Sequence, residues 1–101
     1  MMQGDAYTQK FNLSIDGEPV NPENLEEIEV MIGCVRKTKT AGEAGYDSES
    51  GLYFVELMQR DTFRLSGASE MIVRCKFADE RVLGFNCGTL VFEKSTSREQ
   101  L

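Results

Sequence analysis

Carboxylates and thiols are the side chains through which this sequence could do chemistry. Glu26, Glu27 and Glu29 crowd one segment, and Asp79-Glu80 form a second acidic pair. Two carboxylates can hydrolyse a glycosidic bond when they face each other across a cleft with separated pKa values. Neighbours on a strand point to opposite faces, so Glu26 and Glu27 cannot share a substrate. Glu27 and Glu29 do share a face, and like charges side by side on an exposed strand read as a solvated surface. The Asp47-Ser48-Glu49-Ser50-Gly51 stretch is rich in oxygen, but a calcium loop needs Gly at its sixth position and a bidentate Glu at its twelfth. Counted from Asp47, those positions hold Leu52 and Met58, which leaves a polar hairpin turn. Gly42-Glu43-Ala44-Gly45 lacks the Lys-Ser/Thr ending and the following helix of a phosphate loop.

Cys34, Cys75 and Cys87 are widely spaced and form no C-x-x-C pair, so neither a zinc ribbon nor a dithiol redox motif is present. Reduced thiols acting as small core hydrophobes are the expected state. A Cys34–Cys75 bridge across a sandwich is the alternative, without the tryptophan that accompanies such a bridge in immunoglobulin domains. The chain has no histidine. That removes Ser–His and Cys–His nucleophile pairs, His-type metal sites and the commonest general base at neutral pH. The expectation is a protein that is not an enzyme, with no catalytic residue, cofactor or metal.

The 101 residues suit one domain, and the formal charge of −6 disfavours nucleic acid or an anionic membrane as partner. The first 33 residues hold seven acids against Lys10 alone, whereas acids and bases balance in the remainder. Arg36, Lys37 and Lys39 form a basic cluster directly after the acidic third. Such asymmetry can guide docking between copies, or it can be a solvated strand face with ordinary edge protection. The opening MMQGDAYTQK has no apolar stretch and no apolar run of membrane-spanning length follows, so neither a signal peptide nor a span is expected. Synthesis in a reducing cytoplasm, with reduced thiols, is the corresponding expectation.

The elements that must position these residues repeat with period two. Phe11, Leu13 and Ile15 alternate with polar neighbours before an Asp16-Gly17 turn. Ile28, Val30 and Ile32 alternate before Gly33, and Met71, Val73, Cys75 and Phe77 line one face of a later strand. The run Leu52 to Leu57 is denser, as for a strand buried on both sides or carrying a bulge. Val82 to Phe85 and Leu90 to Phe92 read as a final pair broken near Gly88. Phe11, Phe54, Phe77 and Phe92 are expected in the core. Asn21-Pro22 predicts one helical turn leading into a strand, and Asp61-Thr62 a turn closed by side-chain oxygens where one sheet crosses to the other. Short strands with turns between them predict an all-β, immunoglobulin-like antiparallel β-sandwich of about seven short strands. Residues 1–8 are expected as a flexible N-terminal segment, 9–95 as the domain and 96–101 as a tail.

Three stretches carry a resemblance: EEIEVMIG at Glu26–Gly33, YDSESGLYFVELMQRDTFRL at Tyr46–Leu65 and EMIVRCKFADERVLG at Glu70–Gly84. Their order resembles small proteins encoded in the tail or baseplate regions of phages and prophages of Gram-positive bacteria. Those proteins are similar to immunoglobulin-like modules of baseplate and tail-fibre proteins. The resemblance runs over about residues 9–97 and lies in apolar positions and turns, with Gln59 and Thr62 after Leu57 as its most specific piece. It implies a non-enzymatic structural or adaptor subunit of a phage particle, docking on other phage structural proteins and on copies of itself. Cys75 and Cys87 depart from the pattern, and no receptor-binding domain is expected with it.

The surfaces expected to make such contacts are the acidic strand at Glu26, Glu27 and Glu29, the basic run at Arg36, Lys37 and Lys39, and the turn flanked by Tyr46 and Tyr53. The two tyrosines can equally close a packed strand end. Two other functions compete: a binding module for carbohydrate or a host surface, using exposed Tyr46 and Tyr53, and a small acidic regulator or inhibitor of a host enzyme.

Overall fold

The computed structural model describes residues 6–65 and 67–92, leaving aside the side chain of Phe92. Two antiparallel sheets pack face to face around one apolar core, an all-β sandwich. The smaller sheet runs β1 (Tyr7–Phe11), β7 (Leu52–Leu57), β6 (Ala44–Asp47), and the larger runs β5 (Val35–Thr38), β4 (Leu25–Ile32), β8 (Gly67–Phe77), β9 (Val82–Phe92). A hairpin of β2 (Ser14–Ile15) and β3 (Glu18–Pro19) closes one end. Its turn residues Asp16 and Gly17 both have positive φ, as an Asp-Gly two-residue turn requires. The first strand opens at Tyr7, ahead of the expected boundary at residue 9. Residues 1–5 and the tail at 96–101 lie outside the described residues.

Alternation fixes the faces as read from the sequence for most strands. Ile28, Val30 and Ile32 of β4 and Met71, Val73, Cys75 and Phe77 of β8 are buried in one row each. Opposite them lie Phe11, Tyr53, Val55 and Leu57 of the smaller sheet. Asn21 caps a 3-10 turn at Pro22–Asn24 by accepting from the Glu23 N–H at 3.0 Å, and the chain enters β4 at Leu25.

Four expectations are corrected. The Leu52–Leu57 run carries no bulge and is not buried on both sides. Tyr53, Val55 and Leu57 face the core while Leu52 and Phe54 lie half-buried on the outside. Phe54 is therefore not a core residue; its ring covers Gly45, its partner across the strand pair, where an added Cβ would stand 3.2 Å from the ring. The side chain of Phe92, also expected in the core, lies outside the described residues.

The broken final pair is one continuous strand, β9, as long as β8 at eleven residues. Its ladder with β8 shifts between Glu70↔Thr89 and Ile72↔Asn86, so Cys87 and Gly88 together oppose Met71. That bulge, with Gly88 at φ 102° and its N–H held by the Asn86 side chain, moves the inward phase from Leu83, Phe85 and Cys87 to Leu90. A two-residue alternation broken once looks like two strands in a sequence and is one in space.

The turn expected at Asp61-Thr62 is a short helix, α1 (Gln59–Phe63), at the crossing from β7 in one sheet to β8 in the other. Asp61 accepts from the Met58 N–H at 2.8 Å, the return half of a capping box, and the Thr62 hydroxyl donates to the Gln59 carbonyl at 3.1 Å. The side-chain oxygens act as expected, on a tighter piece of backbone.

Candidate docking surfaces

The larger sheet ends on β9, which pairs with β8 on one side and, among the described residues, with nothing on the other. Its sequence VLGFNCGTLVF contains no charge and no proline. Charge, proline and brevity are the devices that keep edge strands from pairing with other chains. The remaining edges use them: β5 has four residues with Arg36 exposed, β6 has four with Asp47, and β1 has five with Lys10. From Val82 to Val91 no residue of β9 is fully buried, although Met71, Val73 and Cys75 beside it are. The three-stranded sheet therefore leaves the fourth strand of the larger sheet partly uncovered. Val82 and Val91 stand 51% and 58% exposed, a free apolar margin.

The outer face of the larger sheet carries the charged residues singled out in the sequence, and most engage one another. Glu29 of β4 meets Arg36 of β5 at 2.5 Å and Arg74 of β8 at 3.8 Å. Glu26 lies 3.9 Å from Lys76. Glu27 accepts from the hydroxyl and the N–H of Thr40 and from the N–H of Ile28. Burial alone would raise its carboxyl, and these hydrogen bonds hold it below the ordinary value instead. The ammonium of Lys39 donates to the Leu25 carbonyl at 3.3 Å. Acidic and basic strands thus face each other within one chain, which leaves less charge to guide a second copy.

Two residues expected on the surface are inside. Lys37 is 4% exposed, and its ammonium lies 2.7 Å from Asp61 and 3.1 Å from Glu43. The reason is register. Gly33-Cys34 closes β4 and β5 as a two-residue turn with positive φ at Gly33, pairing Ile32 with Val35 and Val30 with Lys37. Val35 faces the core, so Lys37 two residues on must face it too. That alternation is present in the sequence, where the nearness of Arg36 and Lys39 masks it. Burial alone would lower the Lys37 pKa; the Asp61 and Glu43 carboxylates outweigh it and hold the ammonium above its ordinary value.

Tyr53 is 3% exposed, stacks with Phe11 and donates to the Val20 carbonyl at 2.9 Å. Burial, with Cys75 and Tyr46 nearby, pushes its phenol up to about 12. Tyr46 packs edge-on against it at 5.0 Å but remains 39% exposed. The packed strand end is the arrangement found, with Tyr46 alone at the surface. Tyr46 borders an open groove of about 400 Å³ on the outside of the smaller sheet, with Phe54, Lys10, Asp47 and Glu56 among its walls. Lys10 donates to Asp47 at 3.0 Å, and this bond, with those from Ser50 and the Glu49 N–H, holds the Asp47 carboxyl below its ordinary value.

All three cysteines are free thiols, Cys34 exposed at the β4–β5 turn, Cys75 buried and Cys87 half-buried, so the Cys34–Cys75 bridge does not form. Among the described residues no group of three acids or cysteines is placed to hold a metal, and no helix is long and apolar enough to cross a membrane. The chain matches no known family profile, no characterised protein and no solved structure.

Proposed function

We propose that this chain is a non-enzymatic structural or adaptor subunit of a phage or prophage tail or baseplate, working by protein–protein docking. The observation that carries the docking is β9, a long edge strand with no charge and no proline and, among the described residues, no partner on its outer side. Strand edges bind through main-chain hydrogen bonds that any partner strand can complete, and a particle repeats one such contact many times by symmetry. The phage setting and the immunoglobulin-like outline rest on the resemblance of Glu26–Gly33, Tyr46–Leu65 and Glu70–Gly84. Other phage structural proteins are the partners this reading implies.

The test is to induce the source bacterium, purify particles on a density gradient and count this chain in the fractions by quantitative mass spectrometry. A fixed number of copies per particle is the expected result. A chain abundant in soluble lysate and missing from intact particles overturns the subunit reading.

The groove beside Tyr46 favours a second reading, a binding module for carbohydrate or a host surface. It joins two aromatic rings, Tyr46 and Phe54, to the planar polar groups of Asp47 and Glu56. A glycan array comparing wild type with Tyr46→Ala decides it: specific binding lost in the variant supports the module, and no binding by wild type removes it.

A further inference from the structure

We infer that the occupant of the β9 edge is a second copy of this chain, paired antiparallel across a two-fold axis near Gly84, so that two four-stranded sheets join as one of eight strands. This rests on the docking reading and adds to it the edge, the partner and the register.

The bulge at Cys87-Gly88 interrupts the edge, so the regular stretch open to a partner is Val82–Asn86. Full antiparallel overlap of that stretch with itself centres on Gly84. Gly84 then faces its own copy, and Leu83 faces Phe85 of the second chain. In such a pair the directly opposed side chains share a face. Leu83 and Phe85 are half-buried on the core side of β9, where the three-stranded sheet does not fully cover them. The second copy would bring its own Leu83 and Phe85 against them and close a continuous apolar row beneath the joined strands.

Gly84 itself marks the approach. It sits in mid-strand without a positive φ, and a Cβ there would meet nothing within 4 Å. Neither a turn nor internal packing requires glycine at this position. A strand glycine with no internal reason is a place where another backbone can come close.

Charge selects the same occupant. Each copy carries −6, all of it on residues 1–33, and β9 lies in the balanced remainder, away from the net charge that two copies would set against each other. The β9 edge has no charge to oppose its own image, and the nearest, Arg74 across the ladder from Gly84, faces Glu29 of its own chain. The other edges would place Arg36, Lys10 or Asp47 against identical residues across a two-fold.

The test uses the full chain in sedimentation equilibrium. Wild type is expected to show a concentration-dependent dimer at twice the 11.4 kDa chain mass. Gly84→Glu puts a carboxylate beside Arg74 of its own chain, where it suits the fold, and opposite an identical carboxylate in the dimer. It should weaken dimerisation roughly tenfold or more, while circular dichroism and the thermal midpoint show a folded chain. Mixing Gly84→Glu with Gly84→Lys should restore the dimer as a heterodimer. A wild type monomeric at millimolar concentration, or a dimer indifferent to both substitutions, overturns the inference. A monomeric chain counted at fixed copies per particle overturns the second copy and leaves the subunit reading standing. A Gly84-dependent dimer absent from particles upholds the edge and overturns the particle assignment.

Discussion

Lys37 and Asp61 meet at 2.7 Å with both side chains buried, and their contact ties the edge strand β5 to the helix that carries the chain between sheets. Glu43, on the connection from β5 to β6, holds the same ammonium from the rim at 3.1 Å. One lysine therefore pins two of the passages between the layers. Asp61 also accepts from the Met58 N–H, so the carboxylate shapes α1 while it neutralises Lys37.

Removing one partner of a buried pair leaves the other charged and unsolvated. Lys37→Met is expected to cost about 3–5 kcal/mol of stability. Combining Lys37→Met with Asp61→Asn should cost less than the sum of the two single changes, because the orphaned charge disappears. Denaturant midpoints of the four proteins measure this. A cost below about 1 kcal/mol for Lys37→Met, the scale of exposed pairs, contradicts the burial described here.

Stability should fall in alkali. Burial pushes the Cys75 thiol up to about 11, with the Cys87 sulfur adding to it, and the Tyr53 phenol up to about 12. Each stays neutral in the fold after the unfolded chain has lost its proton. Their contributions are therefore complete below the unfolded values of about 8.5 and 10 and are lost as pH rises toward the folded ones. Lys37, raised by its carboxylates against the opposing effect of burial, follows the same sign: its contribution is full below the ordinary lysine value and lost through the raised one. The denaturation midpoint is expected to decline from about pH 9 upward, with a shallower decline in Tyr53→Phe. A midpoint unchanged up to pH 11 contradicts this.

Gly33 and Gly17 both sit at positive φ, at 56° and 82°, but only Gly33 is hemmed in. A Cβ at Gly33 would stand 2.9 Å from Cδ2 of buried Leu65, whereas one at Gly17 meets nothing. Gly33→Ala therefore pays backbone strain of about 1–3 kcal/mol and a clash besides, and Gly17→Ala the strain alone. Thermal denaturation of the two variants should rank Gly33→Ala as the less stable; equal losses would show that Leu65 gives way freely.

Thiol labelling separates the three cysteines. Cys34 is exposed, whereas Cys75 is buried and Cys87 half-buried, and burial raises the pKa of both thiols. An excess of a charged thiol reagent at neutral pH should modify one residue of the native chain at once and all three after denaturation. Peptide mapping should place the first label on Cys34. Rapid native labelling of Cys75 contradicts the packing of β8.

Much of the architecture was legible because a strand with one wet face must alternate. The rows at Ile28, Val30, Ile32 and at Met71, Val73, Cys75, Phe77 follow from period two alone, as does the Asp16-Gly17 hairpin from its residue types. The candidate contact surface was legible only in part. Glu26, Glu27, Glu29, Arg36, Lys39 and Tyr46 were found as surface or rim residues, while Lys37 and Tyr53 lie inside. The bare edge of β9 went unread because an uncharged apolar segment looks like any other strand until its place in the sheet is known.

The sequence by itself determined the class of structure, through the spacing of apolar residues and the turn-forming pairs. Those are local properties, set by which side chains can adopt a turn and which must leave water. The tertiary structure decided three things that depend on neighbours distant in the chain. Lys37, turned inward by register, keeps its charge because Asp61 and Glu43 are there to receive it; the outward ring of Phe54 packs over Gly45 of the neighbouring strand; and β9 is an edge because the larger sheet has no fifth strand among the described residues. Charge pairing, ring packing and strand order are relations between segments, and no single segment contains them.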